Sequence, residues 1–214
     1  MRKIIKGTEP SCLTAWRKKK PHGTYSDLDK TKEGKSIRAK IRDRALKEQF
    51  YLCAYCCQRI KNIEACHNEH IEAQKLNPKR TLDFSNIVAS CNTYNQCGDA
   101  HKSQPLPLTP LMAECETELR FKISGRVQGL SPRAIDTIKV LNLGDDEKNN
   151  LRLIEKRKQL SDVLLWTNGV NPDEGLEDEE LLRMLIDDLS KPEQEQMEPF
   201  TPVVINILQS WLQS

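Results

Sequence analysis

The chain has 214 residues, 37% hydrophobic and 30% charged, with four Tyr, four Phe and three Trp, which allows one sizeable domain or two small ones, at about 100–200 residues each, around a lean core. No run approaches the roughly 18 apolar residues of a membrane span, and the opening MRKIIKGTEPSC lacks the apolar stretch of a signal peptide, so a cytoplasmic protein with no membrane partner is expected. The net charge of +2 hides a polarity: residues 1–60 carry 16 Lys and Arg against 6 Asp and Glu, residues 61–110 five of each, and residues 111–214 carry 12 against 20.

In chain order, residues 12–19 read as a short helix, followed by a loop marked by Pro21, Gly23 and Gly34. Over 35–52, Ile37, Ile41, Ala45 and Leu46 recur at helical spacing, with Arg38, Lys40, Arg42, Arg44 and Lys47 on the polar side. Residues 53–61 read as a cysteine knuckle. Strands are expected over 67–73 and 86–90, joined by a polar loop containing Asn77-Pro78. A short helix after Cys97 carries Asp99, His101 and Lys102 until Pro105, Pro107 and Pro110 end it. Residues 118–129 alternate like strand with a glycine near the turn. The remainder reads as helices over 132–141, 145–165, 176–189 and 203–212, with Ser131-Pro132 as a cap and first-turn proline. Residues 1–130 thus hold the chemistry, and 131–214 form a helical, acidic region for partner binding or packing.

Thiolates bind zinc in tetrahedral sets of four, and a CxxC pair lets two sulfurs from one turn reach the same ion. Cys53 and Cys56 have that spacing, whereas five residues separate Cys91 from Cys97, so the second half must bulge. In a cytosolic chain such pairs hold metal more often than they form disulfides, and a structural Zn²⁺ is expected. Cys12, Cys57, Cys66 and Cys115 have no partner in this scheme, and Cys57 and Cys66 challenge the choice most.

Between the cysteine pairs lie Glu69-His70 and Asn86, with His101-Lys102 just beyond. Hydrolysis of a phosphodiester needs a base for water and a cation for the charge growing on the phosphoryl and leaving oxygens. A neutral imidazole suits the first task; hard oxygens with an imidazole hold a Mg²⁺-, Mn²⁺- or Ni²⁺-like ion for the second, with Mg²⁺ or Mn²⁺ the expected catalytic metal. His70 is the expected base, Glu69 and His101 the expected ligands of the catalytic divalent ion, and Asn86 a brace for the loop or for the His70 backbone. Adjacent strand residues face opposite sides, so Glu69 and His70 share a site only where the strand twists or ends; otherwise Glu72 or Asp99 takes the ligand role. Lys102, Arg38 and Arg42 are the candidate phosphate contacts.

At these residues the chain resembles the HNH endonucleases, the ββα-metal class. That likeness implies an α+β fold with a ββα-metal (His-Me finger) core stapled by the four-cysteine zinc site, flanked by the basic N-terminal helix and a mainly helical C-terminal region. It puts the acidic-His pair at Glu69-His70, the asparagine at Asn86 and the helix histidine at His101. The segments MRKIIKGTEPSCLTAW, LKEQFYLCAYCCQRI, NEHIEAQ, FSNIVASC, PLPLTPL and LNLGDDEKNNLRLIEKR are together similar to the HNH nuclease subunit of Septu-type anti-phage systems, a family that includes retron-associated effectors. The resemblance covers most of residues 1–160 and implies a toxic nuclease working with an ABC/SMC-like ATPase subunit of the same defence system. The chain departs from the pattern at Gly98, where many HNH proteins carry a His or Asn directly after the last cysteine. Two other readings are open: a ribonuclease acting on structured RNA such as tRNA, and a non-catalytic, zinc-organised adaptor.

Overall fold

The computed structural model describes residues 1–145 and 149–213. Helices α1 (Ser11–Lys19) and α2 (Lys32–Glu48) flank a 3₁₀ turn at Tyr25–Lys30. Helix α2 begins nearly a turn earlier than its apolar spacing indicates because Thr31 caps it, its hydroxyl oxygen accepting from the Gly34 N–H at 3.0 Å. It stops at Glu48, and Phe50 and Tyr51 take positive φ just beyond, turning the chain toward the cysteine knuckle. Ile37 and Ile41 of α2 pack with Leu13, Trp16, Tyr25, Phe84 and Ile87, while Ala45 and Leu46 join the main core beside the cysteines.

Strand β1 (Cys66–His70) pairs antiparallel with β2 (Ile87–Cys91), placing Cys66 opposite Cys91 and His70 opposite Ile87. The apolar pattern runs on to residue 73, but β1 ends at His70; beyond it one further link joins the Ile71 N–H to the Asn86 carbonyl at 3.0 Å. A four-residue helix, α3 (Gly98–His101), follows the last zinc-type cysteine. Strands β3 (Leu119–Phe121) and β4 (Val127–Gly129) form a second antiparallel pair. Helices α4 (Pro132–Leu141), α5 (Leu151–Thr167), α6 (Glu179–Ser190) and α7 (Thr201–Trp211) complete the chain. Ser131 caps α4 by accepting from the Ala134 N–H at 3.2 Å. Helix α5 starts at Leu151, capped by Asn150, and not at 145; residues 146–148 of the expected span lie outside the described residues. Among the described residues the architecture is α+β, mostly helical, with two small antiparallel sheets and one buried four-cysteine cluster. Among the described residues no helix is long and apolar enough to cross a membrane.

The main core draws on both sides of position 130: Met1, Ile4 and the knuckle cysteines pack with Phe121, Ile138, Leu153, Phe200 and Val203. The Phe200 N–H donates to the Cys57 carbonyl at 2.9 Å, tying the start of α7 to the knuckle. Arg157 of α5 is fully buried, donating to the Gly125 carbonyl at 2.6 Å and the Leu143 carbonyl at 2.9 Å. Burial lowers its pKa to about 10, so it remains charged at neutral pH. Arg157→Met would strip both carbonyls of their donor at about 1–3 kcal/mol each. Urea unfolding is expected to show a loss of about 2–6 kcal/mol at unchanged m value; a loss below ~1 kcal/mol would make the buried guanidinium dispensable.

Candidate active site

The knuckle is closed by the Cys57 N–H donating to the Cys53 carbonyl at 3.1 Å and the Cys53 N–H to the Gln58 carbonyl at 2.9 Å. Cys91 ends β2, and Cys97 precedes α3 at φ 55, after a bulge that leaves Asn92, Tyr94 and Asn95 exposed. The ligand atoms of Cys53, Cys56, Cys91 and Cys97 lie within 4.8 Å of one another, all buried, a set suited to zinc. Backbone and amide donors already point at the sulfurs: the Cys91 N–H lies 3.4 Å from Cys53 Sγ, and Gln96 Nε2 lies 3.6 Å from Cys56 Sγ. Hydrogen bonds from Cys53, Cys56 and Cys97 hold the Cys91 thiol far below its ordinary range, while burial pushes Cys56 and Cys97 up. A zinc ion is bound by cysteines as thiolates. Cys57 and Cys66 stand outside the set, and Cys66 Sγ faces the Ile63 carbonyl at 3.6 Å.

Along β1, His67 and Glu69 share one face, and Asn68 and His70 the other. On the first face, Glu69 is buried with Oε1 2.6 Å from His101 Nδ1 and Oε2 3.3 Å from His67 Nε2. Tyr55 Oη, 3.5 Å away, donates to the same Oε1. Burial would push the Glu69 carboxyl up, but the His101 and His67 imidazoles outweigh it and hold it below its usual value. His101 Nε2 donates to the Gln104 carbonyl at 2.8 Å, leaving Nδ1 for the carboxylate. Helix α3 thus brings the His101 imidazole within hydrogen-bond distance of the Glu69 carboxylate. Neither fallback carboxylate is free: Glu72 pairs with Arg80 and Asn77, and Asp99 accepts from the Asn95 N–H at 2.6 Å.

On the opposite face, His70 is buried edge-on against Tyr25, ring centroids 4.7 Å apart. Its Nε2 lies 2.9 Å from the Thr81 carbonyl. A carbonyl only accepts, so Nε2 carries the proton and Nδ1 keeps a lone pair; among the described residues Nδ1 has no hydrogen-bond partner. Burial lowers the His70 pKa, against the pull of the Thr81 carbonyl and Glu69, and favours the neutral ring. Asn86 accepts from the Glu72 N–H at 2.8 Å and donates to the Glu72 and Arg80 carbonyls at 3.0 and 3.4 Å. It therefore pins the two ends of the loop that delivers Thr81 to His70. Glu69 and His70 remain on opposite faces, and both lie at the end of the strand.

The three basic candidates differ in availability. Arg38 is committed to Asp29 and to the Tyr25 ring and hydroxyl, Arg42 is half-buried, and Lys102 is exposed at φ 54 beside His101. Further basic residues line a separate cleft of about 790 Å³, where Arg17, Lys18, Lys20, His22 and Lys79 lie around Thr81. Its acidic residues are spoken for: Glu9 holds Arg17 at 3.0 Å and Asp83 holds Arg80 at 2.8 Å. The sequence reading missed both this cleft and His67. The available signal for His67 was its two-residue spacing from Glu69, which puts both on one strand face. Compared with known protein families and with curated proteins, the chain matches none of them.

Proposed function

We propose that the chain is a metal-dependent endonuclease of the HNH type, cutting nucleic acid, with DNA favoured, as the toxic effector of an anti-phage complex with an ATPase partner. The observation that carries the reading is the paired arrangement at the end of β1. A buried carboxylate meets an imidazole 2.6 Å away on one face, and a neutral histidine with a free Nδ1 lone pair sits on the other. In this reading His70 Nδ1 takes the proton of the attacking water. The Thr81 carbonyl fixes the tautomer and Asn86 fixes Thr81. Glu69 and His101 fit a divalent ion, since one nitrogen of His101 is committed to a backbone carbonyl and the other aims at the carboxylate. Such an ion, when bound, neutralises charge on the phosphoryl and leaving oxygens. A scissile phosphate lying across the end of β1 meets both faces, and Lys102 is placed to meet it as a point charge. The partner and the defence role come from the resemblance to Septu-type nuclease subunits. A ribonuclease keeps the same machinery; an adaptor leaves the Glu69–His101 pair without a use.

The test is side-by-side digestion of plasmid DNA and total RNA by the chain co-purified with its ATPase partner, with Mg²⁺, with Mn²⁺ and with EDTA. Metal-dependent loss of the plasmid is expected; RNA cut alone would make it the ribonuclease, and neither cut under any condition would favour the adaptor. The basic cleft gives a second expectation. It adjoins His70 through Thr81, and among the described residues Lys18 and Lys79 make no ion pair. Lys18→Gln with Lys79→Gln should reduce the log–log salt slope of binding to a labelled oligonucleotide by roughly 1.4–1.8, two phosphate contacts at 0.7–0.9 each. An unchanged slope in fluorescence anisotropy would remove the cleft from the substrate path.

A further inference from the structure

We infer that Tyr94 and Asn95, at the tip of the bulge between Cys91 and Cys97, form a binding site for one unpaired nucleobase of the substrate. The ring stacks on the base and the carboxamide meets its edge. The inference rests on the nuclease reading for its ligand and goes beyond it, since neither the HNH motif nor the basic cleft contains these residues.

A single exposed aromatic is ordinary on a protein surface; what sets Tyr94 apart is how its neighbours are held. Asn92 Nδ2 donates to the Glu64 carbonyl at 3.0 Å, and Asn92 Oδ1 accepts from His67 Nδ1 at 3.0 Å. Thr93 Oγ1 accepts from Gln58 Nε2 at 3.2 Å. The Asn95 N–H donates to Asp99 Oδ2 at 2.6 Å, and the Asn95 carbonyl accepts from Asn142 Nδ2, also at 2.6 Å. Gln96 is buried against the sulfurs of Cys56 and Cys91, and the Cys97 N–H donates to the Leu141 carbonyl at 2.8 Å. Both ends of the bulge are thus fixed at zinc-type cysteines, and the residues on either side of Tyr94 are tied to other parts of the fold. On that frame the Tyr94 side chain stands 89% exposed. A ring presented in this way has only two side-chain torsions left to order when a flat partner covers it.

Its surroundings decide what that partner is. The core of a protein interface gathers several apolar residues, whereas Tyr94 is flanked by Asn92, Thr93 and Asn95. Asn95 takes φ 50, a left-handed conformation that asparagine tolerates, and among the described residues its carboxamide makes no hydrogen bond. An aromatic face beside a free amide, which both donates and accepts, suits a base splayed out of its strand. Stacking is indifferent to which base arrives, and the amide meets its edge. Bases inside a duplex are already stacked and paired, so the site takes unpaired nucleotides. Its location fits that role. Asn92 is bonded to His67, whose Nε2 lies 3.3 Å from Glu69 Oε2. The bulge therefore stands on the face of β1 that carries Glu69, beside the phosphate of the proposed reaction.

The test is fluorescence anisotropy on the full chain, without added divalent metal, for wild type, Tyr94→Phe and Tyr94→Ala. The labelled probes are single-stranded DNA, single-stranded RNA of the same sequence, and the fully paired DNA duplex. Because the ring is exposed, zinc content and circular dichroism should match wild type in both variants. Tyr94→Ala is expected to weaken single-strand binding by roughly 5- to 150-fold, the loss of one base stack, with duplex binding unchanged and Tyr94→Phe like wild type. Weakening on DNA alone or RNA alone names the strand. A fluorescent adenine analogue in that strand should be quenched by wild type and Tyr94→Phe but not by Tyr94→Ala. Equal single-strand affinity in wild type and Tyr94→Ala, equal weakening on the duplex, or no single-strand binding by wild type would overturn the inference. Strand binding kept by Tyr94→Ala while co-purification with the proposed ATPase partner is lost would also overturn it, making Tyr94 a protein contact. Tyr94-dependent strand binding by a protein that cuts no nucleic acid would leave the inference standing and the nuclease reading refuted. Metal-dependent cutting with Tyr94-independent binding would do the reverse.

Discussion

Replacing His70 by Ala is expected to slow cleavage by two to four orders of magnitude, the usual contribution of a positioned general base, while zinc content, fold and substrate affinity stay as they are. The separation follows from where His70 sits. It lies on the strand face away from the Glu69–His101 pair, and the thiolate set is built from the knuckle and the end of β2. Its ring contacts are Tyr25 and the Thr81 carbonyl. As the proposed base His70 works only as the neutral ring, and burial lowers its pKa from the ordinary histidine value. Activity should therefore persist as pH falls through the ordinary histidine range of about 6.5 and be lost only below it. An acid limb centred above that value would contradict a buried, neutral base. Equal loss of zinc and activity in His70→Ala would make the residue structural.

The second large effect concerns the thiolate set. Cys97→Ala should leave the chain without bound zinc and without a cooperative thermal transition. Structural zinc contributes on the order of 10–16 kcal/mol in zinc-finger peptides, at or above the roughly 5–15 kcal/mol net stability of an ordinary domain. Here the cluster lies in the main core, where Cys53, Cys56, Cys91 and Cys97 pack with Tyr55, Ile60 and Leu141. Losing it removes the anchor of the knuckle, the end of β2 and the start of α3 together. Cys66→Ala is the control: its sulfur faces the Asn62 and Ile63 carbonyls and stands outside the set. Zinc per chain and melting by circular dichroism read both variants. Zinc retained in Cys97→Ala but lost in Cys66→Ala would overturn the ligand assignment.

Several parts of this site are legible in the residues because the chemistry restricts their spacing. Two cysteines one turn apart announce a shared ion, and the wider Cys91/Cys97 pair closes the same cluster because residues 92–95 bulge out while Gln96 turns back onto the sulfurs. Helix α4 was readable from Ser131-Pro132, a local capping signal. The end of β1 was not, because Ile71 and Ala73 remain buried and continue the strand-like pattern after the ladder stops. The start of α5 was blurred likewise, since an acidic residue such as Asp145 is common in a helix's first turn and the cap that marks the start is Asn150. Arg38 illustrates a different limit: on a helix wheel it is one more cation, and only the fold spends it on Asp29 and Tyr25. Gly98 looked like a gap in the HNH pattern; its place against His67 and Glu69 comes from β1 and α3 meeting in space.

The most direct measurement is of cleavage by protein that keeps its thiolate-bound zinc after mild EDTA treatment, with Mn²⁺ then returned. Zinc is counted in the same samples. The proposed site predicts that the EDTA-treated protein, with one zinc per chain, is inert and regains cleavage as Mn²⁺ is added. Cutting that continues at full rate with zinc alone, or no cutting at any Mn²⁺ concentration in the presence of the proposed ATPase partner, would contradict it.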